Sequence, residues 1–127
     1  MKSKSKVTML VVAVLLSLLS SVNVQASQTG KCGDNITWTL DDKGNLELTG
    51  KGKMYDYSLM GAPWGTSIVS VTISEGIENL GKYALSFCGK LTNVVIPNSV
   101  KEILDGAFRG CDGLETVTIG ESVASIG

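Results

Sequence analysis

Residues 91–111 read LTNVVIPNSVKEILDGAFRGC, and their apolar positions recur with a 23-residue period in the segments before and after. The residues between these positions vary freely. The recurring columns are Ile68, Leu91 and Leu114; Val71, Val94 and Val117; Ile73, Ile96 and Ile119; Ile77, Val100 and Val123; Leu80, Ile103 and Ile126; Ala84 and Ala107; Leu85 and Phe108; and Cys88 and Cys111. A fixed period of this length predicts a solenoid, in which each coil buries its apolar face against the next.

The same segment predicts the content of one coil. Val94–Ile96 is a short β-branched strand whose first and last side chains share one face. Pro97 ends this strand, because proline has no N–H for the next ladder bond. We expect Asp105–Arg109 to form a short helical turn that buries Ala107 and Phe108.

The region before the repeats predicts a β-hairpin. Ile36–Leu40 and Leu46–Thr49 both alternate apolar and polar residues, as half-buried strands do. Residues 41–45 between them, DDKGN, supply the Asp and Gly residues of a tight turn.

Three aromatic residues that follow the hairpin are expected to seal one end of the core, with a sugar-stacking platform as the alternative. They are Tyr55, Tyr57 and Trp64.

These columns resemble the BspA-type leucine-rich repeat family, whose repeats read loosely L-x-x-V-x-I-P-x-S-V-x-x-I-G-x-x-A-F-x-x-C. Residues 91–111 match almost throughout, with Leu104 where glycine is usual. Residues 68–88 match more loosely, with Ser74 at the proline position and Leu85 at the phenylalanine position. Features similar to the N-terminal cap common before such repeats are Cys32-Gly33-Asp34, Trp38-Thr39-Leu40 and Ala62-Pro63-Trp64.

The resemblance implies an α/β-type solenoid that is mostly β. It is a leucine-rich repeat coil, right-handed, with a short parallel sheet on its concave side and a β-hairpin N-terminal cap before it. Residues 27–67 then form the cap region, and residues 68–127 form 23-residue repeats, the last incomplete. Family members are typically secreted or surface proteins of bacteria and some protozoa, associated with adhesion and host contact.

Residues 1–26 predict a secretory signal peptide. A basic start with three lysines precedes an apolar stretch, Val7–Leu19, and Val24-Gln25-Ala26 supplies small residues at a cleavage site. The apolar stretch is shorter than the roughly 20 residues of a membrane-spanning helix. We therefore expect a secreted or cell-surface protein with no membrane span after cleavage.

Asn35-Ile36-Thr37 is a glycosylation sequon, whose use the sequence leaves open.

The last repeat stops at Gly127, without a polar unit to cover it. Val117, Ile119 and Val123 are then expected to face solvent or a missing neighbour. Two consequences are open: the chain is a fragment of a longer protein, or the uncapped C-terminal coil mediates self-association.

The composition excludes several classes of function. The chain has no histidine, which removes Ser-His-Asp and Cys-His catalysis, and its three cysteines lack zinc-finger spacing. The acidic turn 41–45 fails the EF-hand pattern at Lys43. Without residues 1–26 the chain holds eight basic against twelve acidic residues, a formal charge of −4, which disfavours nucleic-acid binding. No catalytic residue, cofactor, metal site or nucleic-acid partner is predicted.

Strand alternation predicts the candidate binding face. If Val71 and Ile73 point into the core, their neighbours point outward, and the same holds in the later coils. The expected concave face consists of Ser70, Thr72, Ser74, Asn93, Val95, Thr116 and Thr118. This uncharged, hydroxyl-rich surface suits broad protein contact, and a solvated face that binds nothing is the alternative.

The 23-residue register also stacks Cys88 on Cys111 in adjacent coils, near the distance range of a disulfide. Two interpretations stay open: a disulfide, or a ladder of buried thiols.

The leading functional hypothesis is a non-catalytic secreted or cell-surface module for protein–protein binding and adhesion, or part of one, with an unknown protein ligand. One alternative is a purely structural cap and spacer of a larger surface protein. Another is a carboxylate-dependent hydrolase, because glycosidases need only two carboxylates. Its candidate residues are Asp41, Asp42, Glu75, Glu78, Glu102 and Asp105.

Overall fold

The computed structural model of the protein describes residues 27–127, so the predicted signal peptide lies outside the described residues. Nine strands are present in the described part, and no helix. The strands are β1 (Gln28–Gly33), β2 (Ile36–Leu40), β3 (Asn45–Gly50), β4 (Ser70–Ile73), β5 (Asn79–Leu80), β6 (Asn93–Val95), β7 (Glu102–Ile103), β8 (Thr116–Thr118) and β9 (Ser125–Ile126).

The cap and the first repeat share a four-stranded sheet. Strands β1, β2 and β3 pair antiparallel in sequence order, and β3 then pairs parallel with β4 of the first repeat. Strand β6 lies beside β4 without ladder pairing, and it pairs parallel with β8 in a separate two-stranded sheet. The two adjacent sheets are together called the main sheet here. The predicted hairpin is confirmed, because β2 and β3 face each other with Trp38 opposite Leu48. Strand β1 was not predicted.

A second, smaller sheet runs along the other side of the coils, in the order β5-β7-β9. Its parallel pairs join Leu80 to Ile103 and Ile103 to Ile126, so the partners in each pair are one period apart. In the main sheet, Val94 pairs with Val117 at the same separation. The strand pairing therefore confirms the 23-residue coil read from the sequence.

The segments that close each coil are runs of tight turns, so the helical turn expected at Asp105–Arg109 is wrong. In residues 83–88, every second N–H donates to the carbonyl oxygen three residues back in its own coil. The N–H groups between them donate to residues 105–109 of the next coil. Gly106 and Gly110 have left-handed φ angles of 68° and 73°, which a right-handed helix does not accept. The backbone N–H groups of this segment therefore donate alternately within their own coil and to the next coil, and no helix forms.

Two aromatic residues of the first repeat occupy the positions of these glycines. Tyr83 and Phe87, at the equivalent positions one coil before Gly106 and Gly110, are also left-handed, with φ angles of 56° and 60°. A Cβ added at Gly106 would collide with the Tyr83 ring, and one added at Gly110 would collide with the Phe87 ring. The glycines of one coil thus leave space for the aromatic rings of the coil before it.

Substituting Gly106 by alanine is expected to lower the free energy of unfolding by about 1–3 kcal/mol. The left-handed backbone disfavours any Cβ, and the Tyr83 ring occupies the space that the Cβ needs. Gly89→Ala is the control, because Gly89 has open space around it and is expected to change stability by less than about 0.5 kcal/mol. Urea unfolding monitored by circular dichroism measures both variants, and equal stabilities would contradict the stacking argument.

One apolar core runs through residues 27–67 and 68–127 without a break. Trp64 lies where the two parts meet and is 4% exposed. Its indole N–H donates to the carbonyl oxygen of Ala84 at 2.9 Å, and its ring meets the Trp38 ring edge-on at 5.8 Å between centroids. For Trp64, the expectation of a core-sealing aromatic is therefore confirmed.

Candidate functional site

The outward-pointing side chains of the main sheet form a polar surface, called here the strand face. It contains the seven residues expected from the sequence, of which Ser70 and Ser74 are half-buried and the other five exposed. The strands order these side chains into three parallel rows that cross the sheet.

Polar side chains of the two flanking rows form hydrogen bonds with other residues of the protein. The Ser70 hydroxyl donates to Asn45 Oδ1 at 2.7 Å, and the Thr116 hydroxyl donates to Asn93 Oδ1. The Ser74 hydroxyl exchanges hydrogen bonds with the backbone of the cap hairpin. These residues therefore tie one coil to the next, and their capacity to bind a partner is reduced.

The middle row crosses the strand face through Glu47, Thr72, Val95 and Thr118. The side-chain hydrogen bonds described above belong to the flanking rows. The side chains of the middle row are exposed to solvent. Val95 is the apolar member of this row and is 62% exposed. Of the residues expected to bind, the structure thus distinguishes Thr72, Val95 and Thr118 as those facing outward without a structural task.

The cap enlarges the strand face, a contribution that the sequence prediction missed. Thr37 and Thr39 of β2 and Thr49 of β3 lie on the same side as the repeat residues. Lys31 of β1 and Glu47 of β3 are the two charged side chains at outward positions of the described strands of this sheet. The alternation of threonine within residues 36–40 was the available signal. No local pattern indicated that the cap strands continue the repeat sheet.

A concavity of about 220 Å³ lies at one end of the strand face, lined by Ser27, Thr39, Asp41, Asn45 and Glu47. Asp41 Oδ1 accepts hydrogen bonds from the backbone N–H groups of Lys43 and Asn45, and Oδ2 accepts one from the Asn45 side chain. These bonds, those from Asn45 above all, lower the pKa of the Asp41 carboxyl. Asp41 is therefore a fixed negative charge beside Glu47.

The three cysteines are free thiols in the structure. Cys88 is fully buried, and the half-buried Cys111 donates its S–H to the Leu85 carbonyl oxygen at 3.0 Å. Burial raises the pKa of the Cys32 thiol to about 11 and that of Cys88 to about 12, and it also raises the pKa of Cys111. Such thiols are poor nucleophiles at neutral pH, because the thiolate is the reactive form.

Iodoacetamide is expected to alkylate Cys32 and Cys88 of the native protein very slowly at pH 7.5, and Cys111 first. At that pH less than about a thousandth of a thiol with a pKa near 11 is ionised. Intact mass after labelling in guanidinium chloride then counts free thiols. Three adducts are expected, whereas a single adduct would indicate a Cys88–Cys111 disulfide. Rapid native labelling of Cys32 would contradict its burial.

The carboxylates considered for hydrolysis are dispersed. Asp41 and Asp42 lie in the hairpin turn, Asp105 is exposed, and Glu75 Oε2 accepts the backbone N–H of Asn98. Asp41 and Asp42 line one surface concavity, and Glu78 and Glu102 line another, an open cleft of about 420 Å³ on the second sheet. Its other lining residues are Lys53, Asn79, Lys101, Ala124 and Ser125.

Two further kinds of site concern residues 27–127, namely metal sites and membrane-spanning helices. No group of three or more Cys, Asp or Glu side chains in this part is placed to hold a metal ion. The same residues include no helix with the length and apolar character needed to cross a membrane.

Comparison with known proteins connects this geometry to a family. A family model described as BspA type Leucine rich repeat region (6 copies) matches residues 63–127. The chain is also similar to a leucine-rich repeat protein from Eubacterium ventriosum, whose crystal structure at 2.50 Å superposes with a TM-score of 0.72 at 32% identity. That similarity covers 81% of this chain and 28% of the other. No curated protein matches the chain significantly. The chain belongs to the BspA-type leucine-rich repeat family.

Proposed function

We propose that this chain is a non-catalytic, secreted or cell-surface module that binds other proteins, in the manner of an adhesion domain, through the strand face. The observation that carries the proposal is the middle row, in which Thr72, Val95 and Thr118 are exposed while the flanking rows bond within the protein. Side chains without a structural task on a regular rigid surface are suited to contacting a partner.

Two further observations support the proposal. Residues 1–26 have the layout of a signal peptide, and membership of the family favours a secreted or surface location. With the cap strands, the strand face spans six strands in two adjacent sheets, about 29 Å at the usual strand spacing. With three rows it presents roughly 400 Å², about half of a standard interface side, so we expect modest affinity.

Thr72→Lys is expected to weaken binding at least about tenfold, because a long charged side chain at the centre of the strand face prevents close contact. The probe is a panel of purified extracellular-matrix proteins, passed over immobilised chain 27–127 in surface plasmon resonance. Ser58→Lys is the matched control, since Ser58 is exposed in a loop whose Met60 N–H bonds to Ser86 in the turn segment, away from the strand face.

The outcome separates binding from a spacer role. Binding lost in Thr72→Lys and retained in Ser58→Lys supports a module that acts through the strand face. Binding that is equal in both variants contradicts the proposed face. Absence of binding, both by chain 27–127 and by a version extended with further repeats, favours the structural cap and spacer.

A further inference from the structure

We propose that the strand face selects a polypeptide segment carrying a basic side chain and an aliphatic side chain about 10 Å apart, a distance of two strand spacings. The inference rests on the proposed function and specifies the partner of the same surface. Its basis is the placement of one acidic end and one apolar centre along the middle row. Glu47 lies directly opposite Thr72 across β3 and β4, and Val95 occupies the next strand of the row. Glu47 and Val95 are therefore two strands apart.

The acidic end is suited to a Lys or Arg side chain. Glu47 is exposed and shares the concavity with Asp41, whose carboxylate is held in place by three hydrogen bonds. Asp41 therefore needs no reorientation to attract a cation, which lowers the entropic cost of binding. Lys31, the cation of the strand face, lies on β1, two strands from Glu47. A basic group on the partner is thus directed to one end of the face.

The apolar centre is suited to an aliphatic side chain. Val95 is 62% exposed and lies on the row between Thr72 and Thr118, two exposed residues whose side chains each include a methyl group. Covering these groups removes apolar surface from water, and the adjacent hydroxyls are available to backbone N–H and C=O groups of a partner. An extended chain advances about 3.3 Å per residue, so residues three apart span the distance from Glu47 to Val95.

The test uses a phage-displayed library of random twelve-residue peptides, selected on immobilised chain 27–127. Enrichment of Lys or Arg three residues from Val, Ile or Leu is expected. The most enriched peptide is then synthesised and titrated against variants of exposed residues, whose folding is checked by circular dichroism. Glu47→Gln is expected to weaken it about threefold to fivefold and to reduce its salt dependence, because a surface charge pair is lost. Val95→Thr is expected to weaken it about threefold to tenfold.

Glu102→Gln is the matched control, because it removes the same charge from an exposed residue of β7, away from the strand face, and it is expected to leave binding unchanged. Selection of acidic or purely aromatic peptides, or of no peptide, overturns the inference. So does a selected peptide that is insensitive to Glu47→Gln or to Val95→Thr. If that peptide is still lost in Thr72→Lys, the proposed binding face stands and only the partner chemistry is wrong. Insensitivity to Thr72→Lys as well contradicts the proposed face itself.

Discussion

Replacing Trp64 by alanine is expected to lower the free energy of unfolding by about 3–5 kcal/mol, the usual cost of truncating a buried tryptophan. The Trp64 ring packs edge-on against Trp38 and also against Tyr57, at 5.5 Å between centroids, and its N–H bonds to the backbone of Ala84. The substitution removes both aromatic contacts and leaves the Ala84 carbonyl without its donor. Urea unfolding of chain 27–127 measures the effect.

The control for this prediction is Tyr55→Phe, which alters an exposed aromatic residue of the same cap. Its hydroxyl bonds to Asp34 at the surface, and its removal is expected to change stability by less than about 0.5 kcal/mol. Because Trp64 joins the cap to the first repeat, both parts are expected to unfold in one transition in the wild type. A Trp64→Ala variant as stable as Tyr55→Phe would show that the contacts of Trp64 between the cap and the first repeat contribute little to the free energy of unfolding.

Chain 27–127, produced by itself, is expected to self-associate through its C-terminal coil. Val117, Ile119 and Ile126 are 36%, 41% and 64% exposed, although Val94, Ile96 and Ile103 at the equivalent positions of the preceding coil are about 2% exposed. The difference arises because each coil is covered by the one that follows it. A second copy can cover the same apolar surface, and the outer edges of β8 and β9 offer backbone groups for pairing.

Sedimentation velocity over a range of concentrations tests this expectation. The double variant Ile119→Glu with Ile126→Glu is expected to raise the dimer dissociation constant at least about tenfold, since like charges then face each other. Val69→Glu introduces the same charge at an exposed aliphatic residue of the first repeat, and it is expected to leave association unchanged. A wild-type chain that sediments as a monomer at every concentration would disprove the expectation.

The parts of the fold that the sequence predicted are those with a local or periodic signal. Ile36–Leu40 alternates apolar and polar residues and is a strand with those bounds. Residues 23 positions apart, which the sequence placed in the same column, are strand partners in both sheets. Strand β1, Gln28–Gly33, was missed because its two glycines and single buried apolar side chain, Cys32, give no alternation. The helical turn was a wrong prediction because the left-handed backbone at Gly106 was not recognised.

The candidate site was predicted in outline from strand alternation, which separates inward from outward residues. Its division into bonded flanking rows and an open middle row depends on which hydroxyl reaches which neighbour, and no sequence pattern gives that. The role of Glu47 required the parallel pairing of β3 with β4, which places a cap residue opposite Thr72. Long-range pairing of this kind has no local signature.

The packing of aromatic rings over glycines has a consequence for the evolution of such chains. Tyr83 and Phe87 lie over Gly106 and Gly110, so the two coils are complementary rather than equivalent. A duplication that placed one copy of the first coil directly on another would bring aromatic side chains into the space that glycine now leaves. Unequal recombination between repeats is therefore constrained by neighbour identity. We therefore expect the pairing of Tyr83 with Gly106, and of Phe87 with Gly110, to be kept where these two coils lie side by side.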